Sequence, residues 1–415
     1  MYKYIKFINK NKIIININNS SIRNFFTDTV DLFIKEMYNV NIGSDNMLTK
    51  FSVENFRNFK EKLSIDFKQE HDYKFNTECV NNKIISKIVV FGNNGEGKSN
   101  FGFAMFDIVR TITDLFVNTG AYDVKNFLNA DSNLDYAEFN YEFKFGEDVI
   151  KYNYKKSNVT TLKSEELIIN NELIYIFDFE KKDGEFNLSR IGAETLNIDK
   201  ENIKISILKF ISNNTVQKED SVISKLIEFV KHMIWFRSLG ANAFIGFETD
   251  VDELNEWIVK NNLTKDFEEF LRNMAKVNMN LTSAKIGNSE FLLDKHKKRA
   301  LIFNDIASSG TKSLQLFYYW SKRFEKASLV FIDEFDAFYH FELSENVIKL
   351  LLKYKNMQAI LTSHNTNLAD NKLMRPDCYY ILKSGKIKSF VDSTQRELRE
   401  GHNLSKMLKE GEFDE

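Results

Sequence analysis

Apolar residues recur with two different periods along this chain. From residue 47, MLTKFSVENFRNFKEKLSIDF alternates apolar and polar positions on both sides of a polar turn, which predicts two strands joined as a hairpin. KIVVF at 87–91 is a short unbroken apolar run, the pattern of a buried strand. After a glycine cluster, Phe101, Phe103, Met105, Phe106, Ile108, Val109, Ile112, Leu115 and Phe116 crowd a helical window, so that helix is expected to be buried on most sides. Between 138 and 190, AEFNYEFKF, IKYNYKK and ELIYIFDFE alternate between Gly and Asn-Asn breaks, which predicts an antiparallel β subdomain. From about 200 to 280 the period turns helical, in SVISKLIEFVKHMIWF and VDELNEWIVKNNLTKDFEEFLRNMAKV. No heptads are sustained there, so no long coiled coil is expected. From 299 to 383 the strand-like SLVFID, AILTS and CYYILKSG alternate with a helical stretch near 342–354, the βαβ rhythm of a parallel sheet.

The expected architecture is α/β, with a mixed sheet, an antiparallel β subdomain and an inserted helical subdomain. The main sheet is expected in two halves, one before and one after the insertions. Residues 47–200 form an N-terminal lobe with the glycine cluster, 201–290 a helical insertion and 291–415 a C-terminal lobe. Residues 1–46 stand apart. Ile22, Phe25, Phe26, Val30, Phe33 and Met37 fit one amphipathic helix there, and the segment reads either as a dispensable or mis-assigned leader or as a partner-docking arm.

A net charge of −2 over 415 residues supplies no global field toward nucleic acid or anionic membrane, so any polyanion contact must be local. Cys79 and Cys378 are the two cysteines and form no CxxC pair, which suits a reducing compartment and excludes a cysteine zinc hook. No apolar stretch approaches the roughly 18 residues of a membrane span, and MYKYIKFINKNKIIININNSS lacks a continuous signal-peptide core. A cytoplasmic protein without membrane contact is expected. Asn, Lys and Ile are abundant and Pro376 is the single proline, which reads as codon bias, so asparagine-rich stretches carry little meaning.

The chemistry concentrates in four stretches. Gly92-Asn93-Asn94-Gly95-Glu96-Gly97-Lys98-Ser99 fits G-x-x-x-x-G-K-[ST], with a strand before it and a helix after it. Such a loop wraps backbone N–H groups around phosphates while the lysine reaches the β and γ oxygens and the serine holds Mg²⁺; the alternative is an incidental glycine turn. Leu329-Val330-Phe331-Ile332-Asp333-Glu334 is an apolar strand ending in two acids, suited to a Mg²⁺ ligand and a water-polarising base. Alone it could be a strand with solvated acids. Ser308-Ser309-Gly310-Thr311-Lys312-Ser313 opens a helix and in isolation reads as its N-cap. Ser309 lies 24 residues before Asp333, and His364, ending Leu361-Thr362-Ser363-His364, lies 31 residues after it.

This ordered set resembles the RecF/SMC-like branch of the ATP-binding cassette ATPases. GNNGEGKSN, including Asn100, is similar to their Walker A motif, SSGTKS to a signature variant, LVFIDE to Walker B, LTSH to the switch histidine and FSVENFRNF to that branch's N-terminal start. The motifs cover roughly 47–110 and 300–390. A narrower resemblance is to AAA-family ATP-binding proteins of prokaryotic abortive-infection and phage-defence loci (RloA-like), extended by the C-terminal TQRELREGHNLSKMLKEGEF. The resemblance implies ATP and Mg²⁺ as ligands, Lys98 on the β and γ phosphates, and Ser99 and Asp333 on Mg²⁺. It implies Glu334 orienting the attacking water and His364 on the γ-phosphate. Asp336 would lie in the D-loop, and Ser309 and Gly310 would cap ATP bound to a second protomer. A head-to-tail, ATP-dependent homodimer or higher oligomer follows, gating an effector protein encoded nearby, with nucleic acid or a phage protein as further candidate partners.

Two features depart from the family pattern. The only glutamine between Walker A and the signature is Gln217, in the wrong context for a Q-loop, and the signature lacks the double glycine of transporter cassettes. Residues 365–415 are too few for a fused TOPRIM nuclease, so an ATPase without its own effector is expected. The competing readings are a RecF-type DNA-repair ATPase and a non-hydrolysing ATP-stabilised scaffold or sensor. Lys295-His296-Lys297-Lys298-Arg299 reads as a solvated turn or a DNA contact, and Arg57 as a phosphate contact or an exposed hairpin residue. His232, Trp235 and Trp257 read as packing, while His340 and Glu342 are metal-like only in composition.

Overall fold

The computed structural model describes residues 46–115, 126–237, 244–246, 253–286, 289–337 and 339–414. The expectations placed on residues 1–45 and on Phe116 lie outside these.

The alternating N-terminal stretch folds as the hairpin β1 (Asn46–Glu54) and β2 (Leu63–Asp66). The short β3 (Val80–Asn81) and β4 (Ile84–Ile85) lead into β5 (Lys87–Phe91), all five residues of which are buried. Helix α1 (Lys98–Ile112) follows the glycine cluster. A meander comes next: β6 (Ala137–Phe145), β7 (Asp148–Lys156), β8 (Leu162–Ile169), β9 (Glu172–Asp178) and β10 (Asp183–Phe186). These strands extend the hairpin into an antiparallel sheet of order β10-β9-β8-β7-β6-β1-β2. Along β6 buried residues alternate with half-buried ones without a break, as a sheet with one face in the core requires.

Helices α2 (Ile207–Asn214) and α3 (Val222–Lys231) start at Ser206 and Ser221, whose side chains accept the capping N–H bonds. Here the sequence expectation fails. MIWF, whose spacing continues the helical period, is instead β11 (Met233–Arg237), and β12 (Phe244–Ile245) pairs with it. An uninterrupted apolar run shows no period of its own, and Met233, Ile234, Trp235 and Phe236 are all buried, as in a central strand. The middle of the chain thus donates a strand to the main sheet, which is assembled from three sequence regions rather than two. Helices α4 (Leu254–Lys260) and α5 (Thr264–Ala275) precede a small sheet of β13 (Leu281–Ile286), β14 (Ser289–Lys295) and β15 (Ala300–Ile302). The stretch read as a helical insertion therefore holds strands as well as helices. The basic run 295–299 is the exposed turn between β14 and β15.

A single turn, α6 (Phe303–Ile306), precedes α7 (Ser309–Ser321), which Ser308 caps. The final βα rhythm is β16 (Leu329–Asp333), α8 (Phe341–Leu351), β17 (Gln358–Ser363), β18 (Tyr379–Lys383), β19 (Lys386–Ser389) and α9 (Leu404–Lys409). The main sheet runs β12-β11-β16-β17-β5-β18-β19, parallel from β11 to β18 with one antiparallel strand at each edge. Its carboxyl edge gathers Arg237, Asp333, Ser363 and Phe91 on neighbouring strands.

Helix α1 lies between the two sheets, which is why it is apolar nearly all round. Phe101 meets Phe51 of β1 on one side and Phe331 of β16 on the other, with ring centroids 6.1 and 6.0 Å away. Gly102 lets the helix approach the main sheet, because a Cβ there would stand 2.7 Å from the Phe331 ring. On the opposite sheet, Lys156 of β7 donates to both Asp107 carboxylate oxygens at 3.0 and 2.8 Å, and Tyr154 adds a third bond at 3.0 Å. The ion pair is almost wholly buried, with side-chain exposures of 2 % and 0 %. Cys79 and Cys378, distant in sequence, also meet in the core: burial, then a hydrogen bond with Cys79, raises the Cys378 thiol.

Candidate active site

The glycine cluster leaves β5 at the carboxyl edge of the sheet, where open α/β folds leave room for a ligand. Gly97 sits at φ +99° as the N-cap of α1, and no side chain caps that end. The first N–H groups of the helix therefore face outward with their partial positive charge, the arrangement that receives a phosphate. Asn93, Asn94 and Gly95 are exposed at the rim of the loop. Glu96 accepts the Ser384 N–H at 2.6 Å, tying the loop to the β18–β19 turn.

A second strap comes from the tip of the β1–β2 hairpin. Asn58 donates to the Glu96 carbonyl at 3.1 Å and accepts from Asn100 at 2.7 Å, while Arg57 donates to the Asn100 side chain at 3.0 Å. Arg57, at φ 51°, also lays its guanidinium over the Phe103 and Phe56 rings. Asn100 is thus turned to the hairpin, and Arg57 is packed there rather than freely exposed. A Cβ on Gly97 would run into Asn58, so the strap itself requires glycine.

Lys98 is nearly buried, and its ammonium is held by the carbonyls of Gly92 and Asn93 at 2.7 and 3.2 Å. His364, at the end of β17, closes on the same ammonium, with Nε2 at 2.9 Å. Burial, and then the Lys98 charge, lowers the His364 pKa, so the uncharged ring accepts from the lysine. Burial also lowers the Lys98 pKa, against the pull of Asp333 and Glu334.

The acids stand one strand away. Ser99 donates to Asp333 Oδ2 at 2.6 Å and Thr362 donates to Asp333 Oδ1 at 2.8 Å. Asp333 is fully buried, and burial raises its pKa. Glu334 turns the chain at φ 50°, a left-handed conformation that a non-glycine residue holds only when its surroundings fix it. Thr362 Oγ1 supplies that constraint by accepting the Glu334 N–H at 2.8 Å. The Glu334 carboxylate reaches Arg237 Nη2 at 2.8 Å. Asp336 accepts from Ser363 at 2.8 Å, and burial raises its pKa as well.

The loop, both acids and the histidine therefore converge from strands β5, β16 and β17. Ser309 and Gly310 do not join them: among the described residues no hydrogen bond of theirs reaches the loop, and Ser309 is exposed at the start of α7. Gln217 bonds Ile191 and Thr215, away from the loop's own partners. His232 caps the end of α3, and Trp257 packs on Tyr319 under the Arg323 guanidinium. His340 is the N-cap of α8 and Glu342 pairs with Lys276. Two contributors were not anticipated. Thr362 was visible only as a residue of LTSH, and Arg237 was hidden by reading MIWF as helix.

The residue set suits a triphosphate with Mg²⁺: an uncapped helix N-terminus, an ammonium beside the loop, and a hydroxyl and a carboxylate 2.6 Å apart as hard oxygen donors. A sequence profile of the family described as "AAA domain, putative AbiEii toxin, Type IV TA system" matches residues 87–370. The chain belongs to that family. No curated protein matches it. Among solved structures it is similar to an SMC head bound to the C-winged helix domain of ScpA, at 15 % identity over 82 % of this chain and 96 % of that one, TM-score 0.38. It is also similar to the SMC head domain from Thermotoga maritima, at 13 % over 83 % and 98 %, TM-score 0.38. A third is the Pyrococcus furiosus Smc head with an extended coiled coil bound to the C-terminal domain of ScpA, at 13 % over 83 % and 95 %, TM-score 0.38. The matched region is an AAA domain, and it lies within a mixed α/β fold. No helix among the described residues is long and apolar enough to cross a membrane.

Thr362 offers a direct check on how the acids are held. Thr362→Val preserves shape but removes the hydroxyl that serves both Asp333 and the Glu334 N–H. Under the ATPase reading proposed below, in which Asp333 would be a metal ligand, phosphate release should fall about 10- to 100-fold, the usual effect of losing such a ligand's supporting partner. Thr362→Ser should restore most of it, with unfolding midpoints compared for all three proteins.

Proposed function

We propose that the chain binds and hydrolyses ATP with Mg²⁺, that two copies close head to tail around ATP, and that this cycle gates a nearby-encoded effector, a nuclease or toxin, in defence against phage. The observation that carries the reading is the meeting of Lys98, Ser99, Asp333 and His364 around one glycine loop, with Glu334 beside Asp333.

In this reading Ser99 and Asp333 would hold a Mg²⁺ ion, which would supply charge neutralisation for the phosphates. Lys98 leaves the Gly92 and Asn93 carbonyls for the phosphate oxygens, and the loop amides and helix N-terminus fix the rest of the anion. Glu334 takes a proton from the attacking water, and the neutral His364 donates a hydrogen bond to the γ-phosphate. Ser309 and Gly310 open a helix and make no hydrogen bond to the chain's own loop among the described residues, which leaves them available to ATP bound on a second copy.

Light scattering tests the assembly. With ATP and Mg²⁺ the mass should double from the 48.7 kDa protomer, and Ser309→Arg should bind ATP yet stay at protomer mass. A mass unmoved by ATP in wild type and in Glu334→Gln alike would overturn the head-to-tail reading. ATP binding that survives Lys98→Ala would overturn the site.

A further inference from the structure

Arg237 ends β11 directly across from Asp333 in the parallel register, so its backbone belongs to the carboxyl edge where the acids lie. Its Nε and Nη2 both reach Glu334 Oε2, at 3.2 and 2.8 Å, and Nε stands 3.5 Å from Asp333 Oδ2. One guanidinium thus serves both acids. The side chains grade from 37 % exposed at Arg237 to 16 % at Glu334 and 0 % at Asp333, so the pair straddles the mouth of the site rather than its floor. Among the described residues, Lys98, Glu96 and Asp336 also carry charge near this edge. Lys98 is engaged by the loop carbonyls and His364, and Asp336 by Ser363.

A guanidinium there has two consequences. It draws the Glu334 carboxylate toward β11, which commits the acid's oxygen to an ion pair. It also places positive charge beside the oxygen that Ser99 and Asp333 would offer to a divalent cation. Both charges cannot sit against Asp333 at once without mutual repulsion.

We propose that Arg237 is the resident counter-ion of the acid pair. It holds Glu334 toward β11 until a divalent cation enters between Ser99 and Asp333, and entry of the cation displaces the guanidinium and frees Glu334 together. Arg237 is in this sense a positioning residue acting through Glu334, and the inference rests on the ATPase reading above.

Mn²⁺ binding to the nucleotide-free protein, followed by the free-ion EPR signal, tests it without reference to turnover. Arg237→Gln should bind Mn²⁺ about tenfold more tightly than wild type, the scale of removing one like charge from beside a divalent ion in a water-like dielectric. Arg237→Lys, which keeps the charge, should stay close to wild type. Adding Asp333→Asn to Arg237→Gln should abolish the gain. In turnover assays, Arg237→Gln should lower the Mg²⁺ concentration needed for half-maximal rate while the KM for ATP holds. Equal Mn²⁺ affinity in Arg237→Gln and wild type, or a gain that survives Asp333→Asn, would overturn the proposal. Direct binding of a fluorescent ATP analogue to wild type judges the broader reading separately: its failure removes the nucleotide, whereas the Mn²⁺ result still decides what Arg237 does.

Discussion

Glu334→Gln is expected to cut phosphate release by about 10²- to 10⁴-fold, the range for losing a positioned general base, while ATP still binds. Glutamine keeps the length of the side chain and accepts the same left-handed turn at φ 50°, which Thr362 continues to hold through the backbone N–H. It loses the carboxylate that, in the proposed cycle, would receive a proton, and it loosens the ion pair with Arg237. Lys98, Ser99 and Asp333 are untouched, so affinity should be equal or higher. Because hydrolysis is what lets two copies part in the proposed cycle, this variant should also accumulate an ATP-bound dimer. Paired measurements of phosphate release and scattering mass decide it. Wild-type turnover in the variant would remove Glu334 from its assigned role, and a protomer mass in ATP would remove the trap.

The second large effect concerns stability. Lys156→Met should destabilise the protein by about 3–5 kcal/mol, the cost of leaving one half of a buried ion pair without its partner. Asp107 is fully buried, and the lysine contributes two of the bonds that reach its carboxylate. Tyr154 remains, but a hydroxyl does not neutralise the charge. Burial lowers the pKa of Lys156, opposed by the Asp107 charge, so the pair is held by each partner's need of the other. Lys156→Met with Asp107→Asn should recover much of the loss, because neither residue is then a lone buried charge. Chemical unfolding midpoints of the three proteins measure this. A loss below about 1 kcal/mol in the single variant, the range of an exposed pair, would show that water reaches Asp107. The pair also joins α1 to the antiparallel sheet, so ATP affinity in Lys156→Met reports how far that sheet steadies the glycine loop.

Much of this site was legible in the sequence because its parts are local. A strand, a glycine loop and a helix start are written in thirteen consecutive residues, and two acids after LVFI mark a strand end without knowledge of the rest. The density of apolar residues in Phe101–Ile112 foretold burial on several sides, and two sheets enclose that helix. What stayed hidden depends on contacts between distant residues. Arg237 gains its meaning only from lying across from Asp333, and MIWF offers no polar position to betray a period of two. The strap of Asn58 and Arg57 onto Asn100 joins residues about forty positions apart through single hydrogen bonds, which leave no periodic trace. The role of Thr362 is equally silent, since one hydroxyl serves the side chain of one neighbour and the backbone of the next.

The position of β5 in the main sheet has a consequence for synthesis. Its two neighbours are β17 and β18, both made long after β5 itself. While the ribosome is still making the middle of the chain, the strand that launches the glycine loop has no partner on either side, and neither Asp333 nor His364 exists. A chain truncated before Gln358 would leave β5 unpaired on both sides, and the glycine loop that leaves it would lack the strands that seat it.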